Sequence, residues 1–151
     1  IYGVLFRKKT ISSSAVHNNA ICIHEAHDDE AVDSGKPIHS EALAASISAG
    51  NVVETEHLET LADGCAGGVD EDSLTLPIAT EVIDKIIHCS EAEILESLQI
   101  LAWKEKVLVE GSAALALAGY VKNKKDYEGK NNVILLCGAN FDKDLILEKI
   151  S

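Results

Sequence analysis

Val133-Ile134-Leu135-Leu136-Cys137-Gly138-Ala139-Asn140 decides how the rest of the chain is read. Five apolar residues in a row predict a parallel strand covered on both faces, and the glycine-bearing turn after Cys137 ends it. Before it, Lys122 to Lys130 is charged enough to be a surface connection. Upstream of that, a helix is expected from about Ser112 to Lys122. Its face of Ala113, Ala114, Ala116, Leu117 and Ala118 is small enough to approach a neighbouring element closely. A further helix starts after Ser90, where Glu93 completes a capping box, and Ile94, Leu95, Leu98, Leu101 and Ala102 share one face. Helix, helix, buried strand and turn in succession point to an α/β fold, as part of an open sheet.

Further toward the N-terminus, Val82 to Cys89 reads as a strand, and Pro77 opens a short helix. Leu61 to Gly68 is a loop of small residues. Ser40 to Ile47 is rich in helix formers and stops at Gly50. Residues 1 to about 38 mix polar clusters with short apolar runs such as Ala20-Ile21-Cys22-Ile23. One or two short strands or helical turns in long loops, with some disorder, are expected there. The chain is accordingly divided into a divergent segment, 1–38, and a main domain, 39–151.

The 151 residues carry a net charge of −12, from 25 acidic and 13 basic side chains. Such a surface repels phosphate backbones, so nucleic acid is not an expected partner. No apolar run approaches the length of a membrane span, and no basic amphipathic stretch marks a membrane surface. Four cysteines, Cys22, Cys65, Cys89 and Cys137, form no paired motif, which argues against a disulfide framework or structural zinc. A reducing compartment, cytosolic or organellar, is the expectation, with the cytoplasm taken first. The chain begins with Ile1 and contains no methionine, so it is read as a piece of a longer polypeptide.

Candidate site residues follow from the strand ends, where ligands gather in open α/β sheets. Cys137 occupies such an end, and Gly138 after it lets a ligand approach the backbone. A buried cysteine followed by a turn glycine accounts for the same pattern. Glu110 precedes a helix, where the dipole favours a carboxylate whatever its role. Asp63-Gly64 lies in the glycine-rich loop and is equally open to both readings. His24-Glu25-Ala26-His27-Asp28-Asp29 lacks the HExxH spacing that places two histidines on one helical face, and is read as solvated loop; no metal is expected.

Four segments taken in order carry a family resemblance. They are Glu59-Thr60-Leu61-Ala62-Asp63-Gly64, Ser73-Leu74-Thr75-Leu76-Pro77-Ile78, Val109-Glu110-Gly111-Ser112-Ala113-Ala114-Leu115-Ala116-Leu117-Ala118, and Leu135-Leu136-Cys137-Gly138-Ala139-Asn140. Together they resemble the threonine/serine dehydratases, fold-type II pyridoxal-phosphate enzymes of the tryptophan synthase beta-like superfamily, over about residues 37 to 142. The resemblance implies the C-terminal part of that fold's open-sheet large domain, incomplete, with pyridoxal 5′-phosphate as cofactor. It implies that Cys137 faces the pyridine nitrogen, Glu110 lies beside the ring, the backbone of Gly64 faces it, Asp63 is on the substrate side, and Asn140 holds the turn around Cys137. A thiol does not keep the nitrogen protonated, so the ring is a weaker electron sink, which suits elimination.

The family's Schiff-base lysine, its substrate-carboxylate loop and its phosphate loop belong to an N-terminal segment that does not occur here. Lys104, Lys106 and Lys130 sit in contexts that do not match that lysine. The expectation is therefore a fragment of a dehydratase that converts L-threonine or L-serine to a 2-oxo acid and ammonia, without activity alone. The alternatives are a fragment of a serine racemase-like enzyme, or a truncated remnant that acts as an interaction module. A small amino acid is the expected substrate. A sheet cut off from its missing strands exposes an edge, so association with the missing half or a homo-oligomer is expected.

Overall fold

A computed structural model of the chain describes residues 31–151 and, before them, the backbone of 4–6, 9–11 and 20–25; side chains are described from Asp33 onward. β1 (Val4–Phe6) and β2 (Lys9–Ile11) pair antiparallel as a small sheet of their own. The main sheet has four strands: β3 (Ala20–Glu25), β4 (Ala31–Pro37), β5 (Lys85–Cys89) and β6 (Asn131–Ile134). Their spatial order is β5-β4-β3-β6. β4 and β5 run parallel, while β3 is antiparallel to both β4 and β6. The expected boundary at 38/39 falls directly after β4, whose strand belongs to this main sheet.

Parallel strands need a crossover, and α1 (Ala42–Ala49) and α2 (Thr75–Val82) supply it. α1 stops where Gly50 turns left-handed at φ 73°, its N–H reaching the carbonyls of Ser46 and Ile47. α2 starts two residues before Pro77, at Thr75, whose N–H donates to Ser73 Oγ at 3.1 Å. Proline is tolerated in that first turn because its nitrogen would lack a helical partner anyway. The expected strand from Val82 is shortened accordingly: Val82 closes α2, and β5 begins at Lys85.

The capping box at Ser90 forms as the sequence predicts. Ser90 N–H donates to Glu93 Oε2 at 2.7 Å, and Glu93 N–H donates back to Ser90 Oγ at 3.4 Å. This starts α3 (Glu91–Ile100), which continues as a π-helical turn, Leu101–Glu105, and ends on left-handed Lys106. Replacing Ser90 with alanine removes one cap bond and is expected to cost about 1 kcal/mol, read as a lower urea midpoint at an unchanged slope.

α4 (Gly111–Lys122) packs on the sheet and against α3. Its closeness to β4 depends on small residues, since a Cβ built on Gly35 would lie 3.1 Å from the carbonyl oxygen of Leu115. Ile87, Ile94, Leu98, Leu101, Ala114 and Leu115 fill the core between sheet and helices. α5 (Lys143–Ile150), capped by Asp142 through the N–H of Leu145, closes it with Ile146 and Ile150. The connection after α4 is charged, as expected, yet it buries Tyr127. That ring stacks on Tyr120 at 5.4 Å, and its hydroxyl donates to Asp33 Oδ2 at 2.7 Å.

The strand that opened the reading is the main correction. Its ordered part is Asn131–Ile134, paired antiparallel with β3 at the sheet edge. Val133 is 50% exposed, and Ile134 alone turns to the core. Leu135 to Cys137 lie beyond the strand, and Cys137 is exposed rather than at the tip of a buried strand. An edge strand has one neighbour, so the outward side chains of its apolar run meet nothing among the described residues that buries them. No described helix is long and apolar enough to cross a membrane.

Candidate cofactor-binding site

The site is assembled at the start of α4. Val109 is buried and anchors the approach, and Glu110 follows in extended conformation as the N-cap residue. Its side chain makes no capping bond, which leaves the carboxylate for other partners. Glu110 Oε2 accepts the N–H of Asn140 at 2.9 Å, and the Glu110 N–H donates to Gly138 O at 3.3 Å. The turn after Cys137 is therefore fastened to the helix start through Glu110.

Two glycines make this possible. A Cβ on Gly138 would stand 2.3 Å from Glu110 Oε1, and Gly138 itself holds φ +123°, a conformation that other residues rarely adopt. A Cβ on Gly64 would stand 3.0 Å from the same carboxylate oxygen and 2.8 Å from Ser112 Oγ. Gly64, Glu110, Ser112 and Gly138 are thus packed closely together, with little side-chain bulk between them. Ser112 Oγ is buried there without a hydrogen-bond partner among the described residues.

The loop carrying Gly64 is held from the opposite side. Glu91, in the first turn of α3, accepts Thr60 Oγ1–H at 2.6 Å and the Leu61 N–H at 2.7 Å. Asp63 is exposed, and its Oδ1 accepts the N–H of Gly64 at 2.8 Å. Asp63 also lines, with Glu110, Gly111 and Phe141, a cavity of about 110 Å³. It contributes as well to a wider apolar groove of about 660 Å³ with Leu58, Leu61, Leu95 and Leu145.

Of the residues singled out by sequence, Gly64 and Glu110 are side by side and Asp63 adjoins them. Cys137 is the exposed neighbour of Gly138, not a buried wall. Asn140 meets Glu110 through its backbone rather than its side chain. Gly138, expected to let a ligand approach the backbone, is found against Glu110, whereas Ser112 and Glu91 were not anticipated as members. Only an orphaned hydroxyl and a clamp between distant segments reveal those two, and neither leaves a mark in the residue pattern. Of the His24 to Asp29 cluster, only the backbone of His24 and Glu25, in β3, lies within the described residues.

Comparison with known proteins agrees with the motif order. Residues 31–138 match the family described as "Pyridoxal-phosphate dependent enzyme". The L-threonine ammonia-lyase of Thermotoga maritima is 33% identical over 105 residues, covering 70% of this chain and 26% of that protein. The catabolic L-threonine dehydratase TdcB of Escherichia coli K12 is 35% identical over 102 residues, covering 66% and 31%. Threonine deaminase isoform 2 of Solanum lycopersicum superposes with a TM-score of 0.64 at 26% identity, over 76% of this chain and 34% of that one. Maize serine racemase shares the fold, with a TM-score of 0.66 at 22% identity over 78% and 37%. The chain belongs to the pyridoxal-phosphate-dependent enzymes, among the fold-type II threonine/serine dehydratases. It spans about a third or less of the length of the curated relatives named here.

Pyridoxal 5′-phosphate is the cofactor of this family. The residues present fit part of such a group. Gly64 and Gly138 bring bare backbone up to the Glu110 carboxylate, and the buried Ser112 hydroxyl beside them has no partner among the described residues.

Proposed function

We propose that this chain is the C-terminal portion of a dehydratase that eliminates water and ammonia from L-threonine or L-serine to give a 2-oxo acid. Residues 39–151 form its share of the catalytic domain, and 1–38 is a divergent segment that lends strands to it. On this reading the chain is inactive alone, because the lysine that anchors the cofactor lies in the portion it lacks. The carrying observation is the gathering of Gly64, Glu110 and Gly138 at the start of α4, on motifs that follow the family's order.

Bound here, pyridoxal phosphate supplies an electron sink for the charge left when the substrate loses its α-proton. The chain's own groups hold and orient it. Gly64 offers backbone to one face of the ring, Glu110 stands beside it, and Ser112 Oγ offers the bond it lacks in its absence. Cys137 is assigned to the pyridine nitrogen, which requires it to turn inward once ring and missing chain are in place. Asp63 is assigned to the substrate side, next to the groove through which a small amino acid would enter.

The exposed Val133 and Leu136 support the view that more protein packs over this edge, either the missing half or a second copy. The same surfaces favour a second reading, a remnant that pairs with an intact dehydratase. Cytoplasmic placement is part of both readings. Supplying the missing N-terminal portion in trans tests the first reading. Retained pyridoxal phosphate, seen as bound visible absorbance, and 2-oxo acid formed from L-threonine or L-serine are the expected results. A reconstituted protein that retains no cofactor overturns it, and recovery of an intact dehydratase subunit with the chain would then favour the second.

A further inference from the structure

Lys36 takes no part in the cleft described above. It sits in β4 at 2% exposure, between Gly35 and Pro37, an unusual place for an ammonium group. It lines a separate cavity of about 180 Å³ with Ser40, Cys65, Asp70, Ser73 and Thr75. Neither Gly64, Glu110 nor Cys137 contributes to that wall.

We propose that the Lys36 amine is a nucleophile that condenses with a small monocarboxylate bearing an aldehyde or ketone, such as a 2-oxo acid, to form an imine in this cavity. The cavity is firmly built. Ser40 Oγ accepts the Gly67 N–H at 3.0 Å and is bonded to His57 Nδ1 at 3.1 Å, which fixes the loop over Lys36. Ser73, just before α2, and Thr75, its first residue, line the cavity at the end of the helix where the dipole favours a carboxylate. At Gly67 and Gly68 a Cβ would meet nothing within 4 Å, so this side of the loop is open to an incoming molecule. Asp70 shares the cavity, and its charge repels a phosphate or a dicarboxylate more strongly than a single carboxylate.

Burial also prepares the amine. Removal from water lowers the pKa of Lys36 from 10.5 to about 8, against a smaller opposing effect of Cys65. A substantial fraction is therefore neutral where a surface lysine is almost wholly charged. The neutral nitrogen attacks the carbonyl carbon and forms the C–N bond. The proton it sheds passes to the carbonyl oxygen, which leaves as water, so no oxidant or reductant is needed. The inference is independent of the dehydratase reading, since it uses none of that site.

The 151-residue chain is incubated with pyruvate or glyoxylate and sodium cyanoborohydride at about pH 8, and the reduced adducts are mapped by peptide mass spectrometry. Lys36 should carry about ten times the adduct found on Lys104 or Lys124, because far more of it is uncharged. The preference should vanish when the chain is labelled unfolded in urea. Lys36→Met should lose this adduct and keep the rest; should that variant not fold, the lysine map of the unaltered chain decides alone. Labelling of Lys36 no greater than that of Lys104 in the folded chain overturns the proposal.

Discussion

Gly111→Ala is expected to destabilise the fold by about 3 kcal/mol, seen as a large drop in the urea midpoint. The methyl group would stand 1.8 Å from the carbonyl oxygen of Leu61 and 2.4 Å from its carbon. Both are backbone atoms, so no rotamer change relieves the clash. The Leu61 segment cannot simply retreat, because Glu91 holds its N–H and the neighbouring Thr60 hydroxyl. Either this clamp breaks or α4 moves off the sheet, where Leu115 and Gly35 are already in tight contact. A midpoint close to that of the unaltered chain would mean that the loop and helix are not packed as described. Alanine is the better helix former, so intrinsic propensity alone predicts the opposite sign.

Gly138→Ala is expected to act on the site more than on the fold. Its methyl group meets Glu110 Oε1 at 2.3 Å, Cδ at 2.4 Å and Cγ at 2.9 Å, all belonging to a side chain that can swing away. The left-handed backbone adds about 1–3 kcal/mol of strain on a surface turn. Once Glu110 swings out, the turn loses its tie to Asn140 N–H, and the space beside Gly64 loses its carboxylate. In the reconstituted enzyme, pyridoxal phosphate affinity should fall about a hundredfold, equivalent to roughly 2.7 kcal/mol. The circular dichroism of the chain should change little. Unimpaired cofactor binding would show that the Glu110–Gly138 contact has no part in the site.

What the sequence discloses is local or modular. The Ser90–Glu93 box, the left-handed stop at Gly50 and the small face of α4 need only a few neighbouring residues, and each is legible. Gly64 and Glu110 could be brought together only through motif order, since no periodicity relates a loop to a helix start this far along the chain. The apolar run from Val133 misled for a physical reason. Hydrophobicity reports a preference for burial, but not which strand lies alongside or in which direction it runs. β4 offers no such apolar signal. Asp33-Ser34-Gly35-Lys36 falls in the stretch expected to hold one or two short strands or turns in long loops, and all four residues are buried in the sheet. Asp33 is tolerated inside because the Tyr127 hydroxyl reaches it, and Lys36 because it borders a polar cavity.

The Tyr127–Asp33 hydrogen bond joins positions 94 apart in the chain, and it ties the polar strand to the end of the α4 segment. Closing so long a loop carries an entropic cost that local contacts do not, although that cost grows only slowly with length. The neighbouring helices α3 and α4 need only a short loop to meet and come together early. The polar strand therefore gains this partner only when a tyrosine far along the chain is brought against it.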